Sequence, residues 1–346
     1  MRAVVYPGFG AEPQVRDVPD PVPGPDGVVV AVEATGVCRS DWHGWRGHDS
    51  TISLPHVPGH ELAGRVVATG DRVRRWRPGD RVTVPFVCAC GTCEQCATGN
   101  HQICVNQTQP GFTHWGSFAE LVALDHADVN LVRLPADLDS TTAAALGCRF
   151  GTAFRAVLRQ GQVSAGQWVA VHGCGGAGIS AVMLAVAAGA RVVAVDLSPE
   201  ALALATKLGA EVALRANGDT VTAIREVTGG GAHVSLDCVG LPQTCADSVA
   251  SLRPRGRHVQ IGLMPPGQGI PPIPMHRVIA DELVLLGSHG IQAHEYPEML
   301  AVIRRSTVDL AALVGRRITL DEAPAALTAM DDPVGGAGVT VVELRV

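Results

Sequence analysis

Val169-Ala-Val-His172-Gly173-Cys-Gly175-Gly-Ala-Gly178-Ile-Ser-Ala is the stretch that decides the fold of this chain. A short apolar run stops at a G-x-G-x-x-G loop, and a second apolar stretch from Ile179 to Ala190 follows at helical spacing. Next comes Arg191 to Asp196, a second strand-like run. With 40 glycines in the sequence the triplet alone says little, and its place between strand and helix gives it meaning. In such a unit Gly173 permits the tight turn, Gly175 lets a pyrophosphate approach the backbone, and Gly178 lets helix pack on strand. The helix amino terminus then faces the anion. Asp196, at the end of the second strand, is placed to bond the ribose hydroxyls and to repel a 2'-phosphate. NAD is therefore expected rather than NADP.

The same rhythm continues downstream. Ser198-Pro199-Glu200 starts a helix with a cap and a first-turn proline, and Leu208-Gly209 ends it. Further strands are expected at Val212 to Leu214, Val234 to Asp237, His258 to Ile261 and Leu283 to Leu286, which makes a doubly wound parallel sheet. A helix over about 295–304 and a last strand from Val339 to Leu344 follow. Upstream, Val-rich runs at Val28 to Val32, Arg65 to Ala68 and Arg81 to Val84 alternate with Gly, Pro and Asp turns, the pattern of a β-rich domain. Pro19, Pro21, Pro23 and Pro25 read as a surface loop between strands.

The cysteines fall into two sets. Cys90, Cys93, Cys96 and Cys104, spaced C-x2-C-x2-C-x7-C, supply four thiolates for a closed tetrahedral zinc site. Cys88 competes with them, although its one-residue spacing to Cys90 suits a knuckle less well. The second set is dispersed: Cys38 in Cys38-Arg39-Ser40-Asp41-Trp42-His43, His60 and Glu61 in Gly59-His60-Glu61, and Cys148 in Leu146-Gly147-Cys148. Two Cys and one His leave a fourth position for water or substrate, which distinguishes a catalytic zinc from a structural one. Cys238 and Cys245 read as small buried residues. Cys174 sits in the glycine loop.

These segments, in this order and over essentially the whole chain, resemble the zinc-dependent alcohol dehydrogenases of the medium-chain dehydrogenase/reductase superfamily. The resemblance implies an α/β fold: a Rossmann doubly wound parallel sheet domain plus a β-rich, GroES-like catalytic domain. The implied boundaries are 1–150 for the catalytic zinc-binding domain, with the structural zinc lobe at about 88–106. Residues 151–287 would form the Rossmann domain and 288–346 a return segment completing the first. It implies two Zn2+ per chain: one on Cys38, His60 and Cys148, with Glu61 as a near or transient ligand, and one on the Cys90 set. Asp41 would orient the zinc histidine. Ser40 and His43 would relay the alcohol proton, His43 at its ordinary pKa of about 6.5. Arg39, Gly176, Val239 and Ile261 join Gly173, Gly175, Gly178 and Asp196 as expected cofactor contacts. Phe86 is the expected aromatic wall of the substrate pocket, with Trp42 and Trp115 as neighbours. One departure stands out: many relatives carry Gly-Arg-Val-Val near the carboxy terminus, where this chain reads Gly338-Val339-Thr340-Val341.

Composition narrows the field. A net charge of -6 without a Lys/Arg block argues against nucleic acid and anionic membranes. The longest apolar stretch is too short to span a bilayer. The amino terminus lacks a signal-peptide pattern, so a cytoplasmic enzyme is expected, in which clustered cysteines bind metal. The chain length resembles the tetrameric branch of the family, so a homo-oligomer, a tetramer before a dimer, is expected. The expected reaction interconverts an alcohol with its aldehyde or ketone. Rivals are a polyol or amino-alcohol (threonine-type) dehydrogenase, a C=C reductase and a non-enzymatic zinc and nucleotide sensor. The Ser40 and His43 pair favours carbinol chemistry, because alkene reduction does not need a zinc-bound alkoxide.

Overall fold

In the computed structural model the described residues are 1–264, 267, 269–306, 308–332 and 338–344. The amino terminus forms a hairpin of β1 (Arg2–Val5) and β2 (Gln14–Asp17). The long strand β3 (Val28–Val37) organises the first sheet, with nine of its ten residues buried. It pairs antiparallel with β4 (Leu62–Thr69), which pairs with β5 (Arg81–Thr83). β6 (Leu121–Leu124) lies against one end of β3, and β7 (Val132–Arg133) against β5. Val28, Val30, Val32, Leu62, Val66 and Val82 form one core cluster, while Val29 and Ala31 between them are buried as well, so β3 is covered on both faces.

One helical run, broken by two π turns, carries the chain from Ser140 to Gln160. The parallel sheet then builds up: β8 (Trp168–His172), β9 (Arg191–Asp196), β10 (Val212–Arg215), β11 (Ala232–Asp237), β12 (Leu252–Gln260) and β13 (Val284–Gly287). Their order is β10-β9-β8-β11-β12-β13, with β8 beside both β9 and β11 at the point where the winding reverses. Helix Gly176–Ala187 packs on this sheet with Ile179, Val182 and Leu184 buried. It begins at Gly176, earlier than its apolar pattern, because the glycine loop itself forms the first turn. Strand β12 begins six residues before the expected His258. Its first half carries Pro254 and Gly256, with Arg255 at φ 62, and the register against β11 shifts there. A proline cannot donate to the ladder, so the pattern hid this half.

The chain returns through helix Tyr296–Arg305 to β14 (Val314–Ile318) and β15 (Val339–Glu343). β15 pairs antiparallel with β3, so the last strand completes the first sheet. The fold is thus a Rossmann-type parallel sheet beside a separate mixed sheet. No described helix is long and apolar enough to cross a membrane.

Candidate active site

Asp41 organises the dispersed set. Cys38 caps the amino end of helix Arg39–Trp45, and its N–H donates to Asp41 Oδ2 at 2.9 Å. Asp41 Oδ1 accepts from Gly59 N at 3.0 Å and from His60 Nδ1 at 2.8 Å. One carboxylate, 1% exposed, therefore holds the helix start, the histidine loop and the imidazole. With Nδ1 held by Asp41, Nε2 is the nitrogen left to face a metal, and it is buried with no hydrogen-bond partner. Without a metal, burial lowers the pKa of the ring, but Asp41 and Cys38 raise it well above the ordinary histidine value. Gly59 sits at φ +107, where a Cβ would fall 2.6 Å from the Phe118 backbone nitrogen, so only glycine lets the loop pass. Cys148 lies on the π turn Leu146–Phe150, a distortion common at functional sites.

The ligand atoms of Cys38, His60, Glu61 and Cys148 all lie within 4.8 Å of one another. Without a metal, the hydrogen bond from Cys148 pulls the Cys38 thiol well down, and the same bond with burial pushes Cys148 well up. Two buried sulfurs competing for one proton beside an orphaned imidazole nitrogen are a donor set suited to Zn2+.

Glu61 has a second partner. Its Oε1 accepts from both Arg149 N and Arg149 Nε at 3.0 Å, and Arg149 Nη2 bonds Oε2. The carboxylate is fully buried, and burial raises its pKa against the pull of Arg149. Sequence reasoning missed Arg149, since an arginine after a cysteine is no motif. It also missed Phe112, whose ring lies 5.3 Å from His60, closer than Phe86 at 6.1 Å. Trp115 does not join them. Its Nε1 donates to Pro55 O and its ring packs against the Met1 and Val15 cluster. Trp42 turns its Nε1 to Asp331 Oδ1 at 2.7 Å and meets the edges of His43 and His48.

Ser40 is half-buried on the same helix. His43 Nδ1 faces His48 Nδ1 at 2.9 Å. Burial, then His48 and Arg39, lower His43 to about 4, which replaces the ordinary histidine value expected for it. Arg39 stacks over Trp42 at 4.8 Å, and its Nη1 bonds Met330 O.

The second set is compact. Sγ of Cys93 lies 3.5 Å from Cys96 and 3.7 Å from Cys104, and Cys104 Sγ lies 3.5 Å from Cys90. Four thiolates about 2.3 Å from one zinc would stand near 3.8 Å apart. Cys90 N and Thr92 N donate to sulfurs of the set. Cys88 is excluded from it: fully buried, it packs with Val82, Val84 and Trp76.

The carboxyl edges of β8, β9, β11 and β12 carry the phosphate loop and its neighbours. Gly173 has φ +87, and a Cβ on Gly178 would fall 1.7 Å from Gly173 O. Beside Gly175 nothing lies within 4 Å, so the loop is open to an outside group. Asp196 Oδ2 accepts from Cys174 N at 2.6 Å and Oδ1 from Ser198 N at 2.8 Å, which ties the carboxylate to the loop. Val239 N donates to Asp237 Oδ1, and its side chain lies against Gly173. Ile261 N donates to Asp237 O, and Ile261 lines a cavity of about 570 Å³ with Gln102, Arg155, Gln260 and His289. His289 meets Phe86 edge-on, ring centroids 5.1 Å apart. Val339, where relatives carry arginine, is buried in a core cluster and offers no charge.

The sequence matches the Alcohol dehydrogenase GroES-like domain over residues 24–136 and the Zinc-binding dehydrogenase domain over 176–305. An alcohol dehydrogenase of Rhizobium meliloti is 39% identical over 272 residues, 78% of each chain. An L-threonine 3-dehydrogenase of Streptomyces avermitilis is 33% identical, over 96% of each chain. A solved structure described as a zinc-binding dehydrogenase from Sinorhizobium meliloti 1021, bound to NADP, superposes with TM-score 0.88 at 31% identity, covering 99% of both chains. The chain belongs to the zinc-dependent alcohol dehydrogenase family of the medium-chain dehydrogenase/reductase superfamily.

Proposed function

We propose that the protein is an NAD-dependent alcohol dehydrogenase that interconverts an alcohol with its aldehyde or ketone by hydride transfer. The observation that carries this is the buried Nε2 of His60, without a hydrogen-bond partner and clustered with the sulfurs of Cys38 and Cys148, with Ser40 and His43 on the helix that Cys38 caps. Zinc held by Cys38, His60 and Cys148 would supply a Lewis acid for the substrate oxygen, and the nicotinamide would supply the hydride acceptor or donor. The second zinc, on Cys90, Cys93, Cys96 and Cys104, would serve the fold.

The chain's own residues do the rest. Asp41 fixes the His60 tautomer and so the direction of Nε2. Ser40 Oγ takes the hydroxyl proton, and His43 passes it outward. Being pushed to about 4, His43 is neutral at pH 7 and holds a proton only briefly. His48, exposed and 2.9 Å away, gives that proton an exit. Phe86 and Phe112 form the apolar wall.

Asp196 supports NAD, since its carboxylate would meet a 2'-phosphate, even though a solved relative carries NADP. The catalytic domain is assigned to 1–150, with the return segment 288–346, and the cofactor domain to 151–287. The apolar edge of β13, with Val284 and Leu285 exposed and Ile279 nearby at 77%, supports a homo-oligomer. A reducing, cytoplasmic setting is the one in which clustered cysteines such as the Cys90 set bind metal rather than pair. An amino-alcohol reading is favoured by the 33% identity to an L-threonine 3-dehydrogenase over nearly the whole chain.

A panel of primary and secondary alcohols, polyols and L-threonine, read at the NADH absorbance with NAD and NADP, tests the reaction, the substrate class and the cofactor. Turnover of simple alcohols with NAD preferred is expected, and Asp196→Gly should weaken NAD binding by about 1 to 3 kcal/mol. Equal kcat/KM for the two cofactors would remove the NAD assignment, and turnover of L-threonine alone would replace the substrate class.

A further inference from the structure

Arg149 joins the two halves of the site. It follows Cys148, its side chain is 11% exposed, and its Nε and Nη2 hold the two oxygens of Glu61. A guanidinium carries five N–H groups. Glu61 takes two of them, and Nη1 has no hydrogen-bond partner among the described residues. The arginine stem lies on Gly176, where a Cβ would fall 2.4 Å from Arg149 Cδ and 3.2 Å from Nη1. Gly176 opens the twelve-residue helix Gly176–Ala187, whose first N–H groups are unbonded within the helix and carry its positive end. A free guanidinium edge and a helix amino terminus thus converge beside the open face of Gly175.

We propose that Arg149 binds a phosphate of the dinucleotide: its Nη1 edge donates to a phosphate oxygen at the start of this helix while Nε and Nη2 stay on Glu61. This rests on the dinucleotide reading of the site. Its consequence is a coupling between sites. Phosphate and Glu61 share one guanidinium through different N–H groups, so the negative charge of each tempers the pull of the cation on the other, and the effect is reciprocal. The glycine at 176 then serves the arginine as well as the turn.

Calorimetric titration of the zinc-loaded protein with NADH, and with ADP-ribose, which has the pyrophosphate but no nicotinamide, tests this without turnover. Arg149→Gln leaves Glu61 buried and unpaired, so the double variant Glu61→Gln/Arg149→Gln, which removes both charges, is measured beside it. The double variant should weaken both nucleotides tenfold or more with two zincs per chain retained. Glu61→Gln alone should keep or tighten NADH binding, because it frees the guanidinium. A double variant that binds both nucleotides within twofold of the unmodified protein overturns the proposal. So does a Glu61→Gln variant weakened as much as the double, since the pair would then be structural only. If the unmodified protein binds neither nucleotide, the dinucleotide reading itself falls, a result visible before any variant is made.

Discussion

The two cysteine sets of this chain offer the same chemistry in opposite constructions. The Cys90 set is folded from fifteen consecutive residues, all four donors are cysteine sulfurs, and the pairs Cys93–Cys96, Cys93–Cys104 and Cys90–Cys104 stand 3.5 to 3.7 Å apart. The Cys38 set draws its ligands from a helix cap, a loop before β4 and a π turn more than a hundred residues downstream. It mixes sulfur, nitrogen and carboxylate donors, and the Glu61 carboxylate is fastened to Arg149. A local set with four strong ligands closes around its metal and stiffens the lobe. A set carried by separate elements keeps a vacant position and reports on how those elements sit. The difference should be visible in what each set does when it is cut.

The largest effect is expected at the dispersed set. Cys38→Ser or Cys148→Ser should lower kcat by more than about a thousandfold, the scale of losing a Lewis acid, while circular dichroism and melting temperature stay near those of the unmodified protein. Cys104→Ser should do the reverse. Its turnover per folded molecule should survive, and its melting temperature should drop by about 3 to 6 °C, the shift of roughly 2 to 4 kcal/mol in a chain of this size. Should Cys38→Ser unfold the chain, or Cys104→Ser abolish turnover in a folded protein, the division of roles would not hold.

How much of this was legible in the sequence follows the same line. The compact set could be read from spacing alone, because turns within one lobe bring neighbours together without help from the rest of the fold. The phosphate loop could be read from its place between strand and helix. For the dispersed set, only the resemblance linked Cys38 to Cys148. Arg149 and Phe112 were invisible for the same reason: no spacing connects Arg149 to Glu61, or Phe112 to His60, until β3, β4 and the Ser140–Gln160 run are packed. Trp115 was misplaced because a tryptophan carries no signal of which face of its loop it will occupy. It faces the amino-terminal hairpin. His43 was identified by position, but its depressed pKa comes from burial and from His48, a neighbour five residues on that only the helix and its turn bring to 2.9 Å.

A smaller effect sharpens the comparison within the open site. His43→Ala should slow alcohol oxidation about tenfold at pH 7, below the usual general-base range of ~10² to 10⁴ because water can partly substitute. The sign of its pH dependence follows from the depressed pKa. Its folded pKa is about 4, so the ring is neutral throughout pH 6 to 8 and its own protonation places no inflection near 6.5 in the rate profile. The deficit should therefore be level between pH 6 and 8, shrink at higher pH as hydroxide replaces the relay, and shrink with added imidazole. Zinc content should stay the same. Full activity in His43→Ala would mean that the proton leaves by another route, and loss of zinc would make His43 a ligand.

The central claim is that one chain holds two zincs with separable roles, and the most direct measurement is metal content against activity and melting temperature during slow chelation. Two zincs per chain are predicted in the active protein. The first to leave should take turnover with it while the fold remains, and the second should leave with the cooperative loss of structure. One zinc per chain in fully active protein, or both zincs lost in a single step together with the fold, would contradict the account.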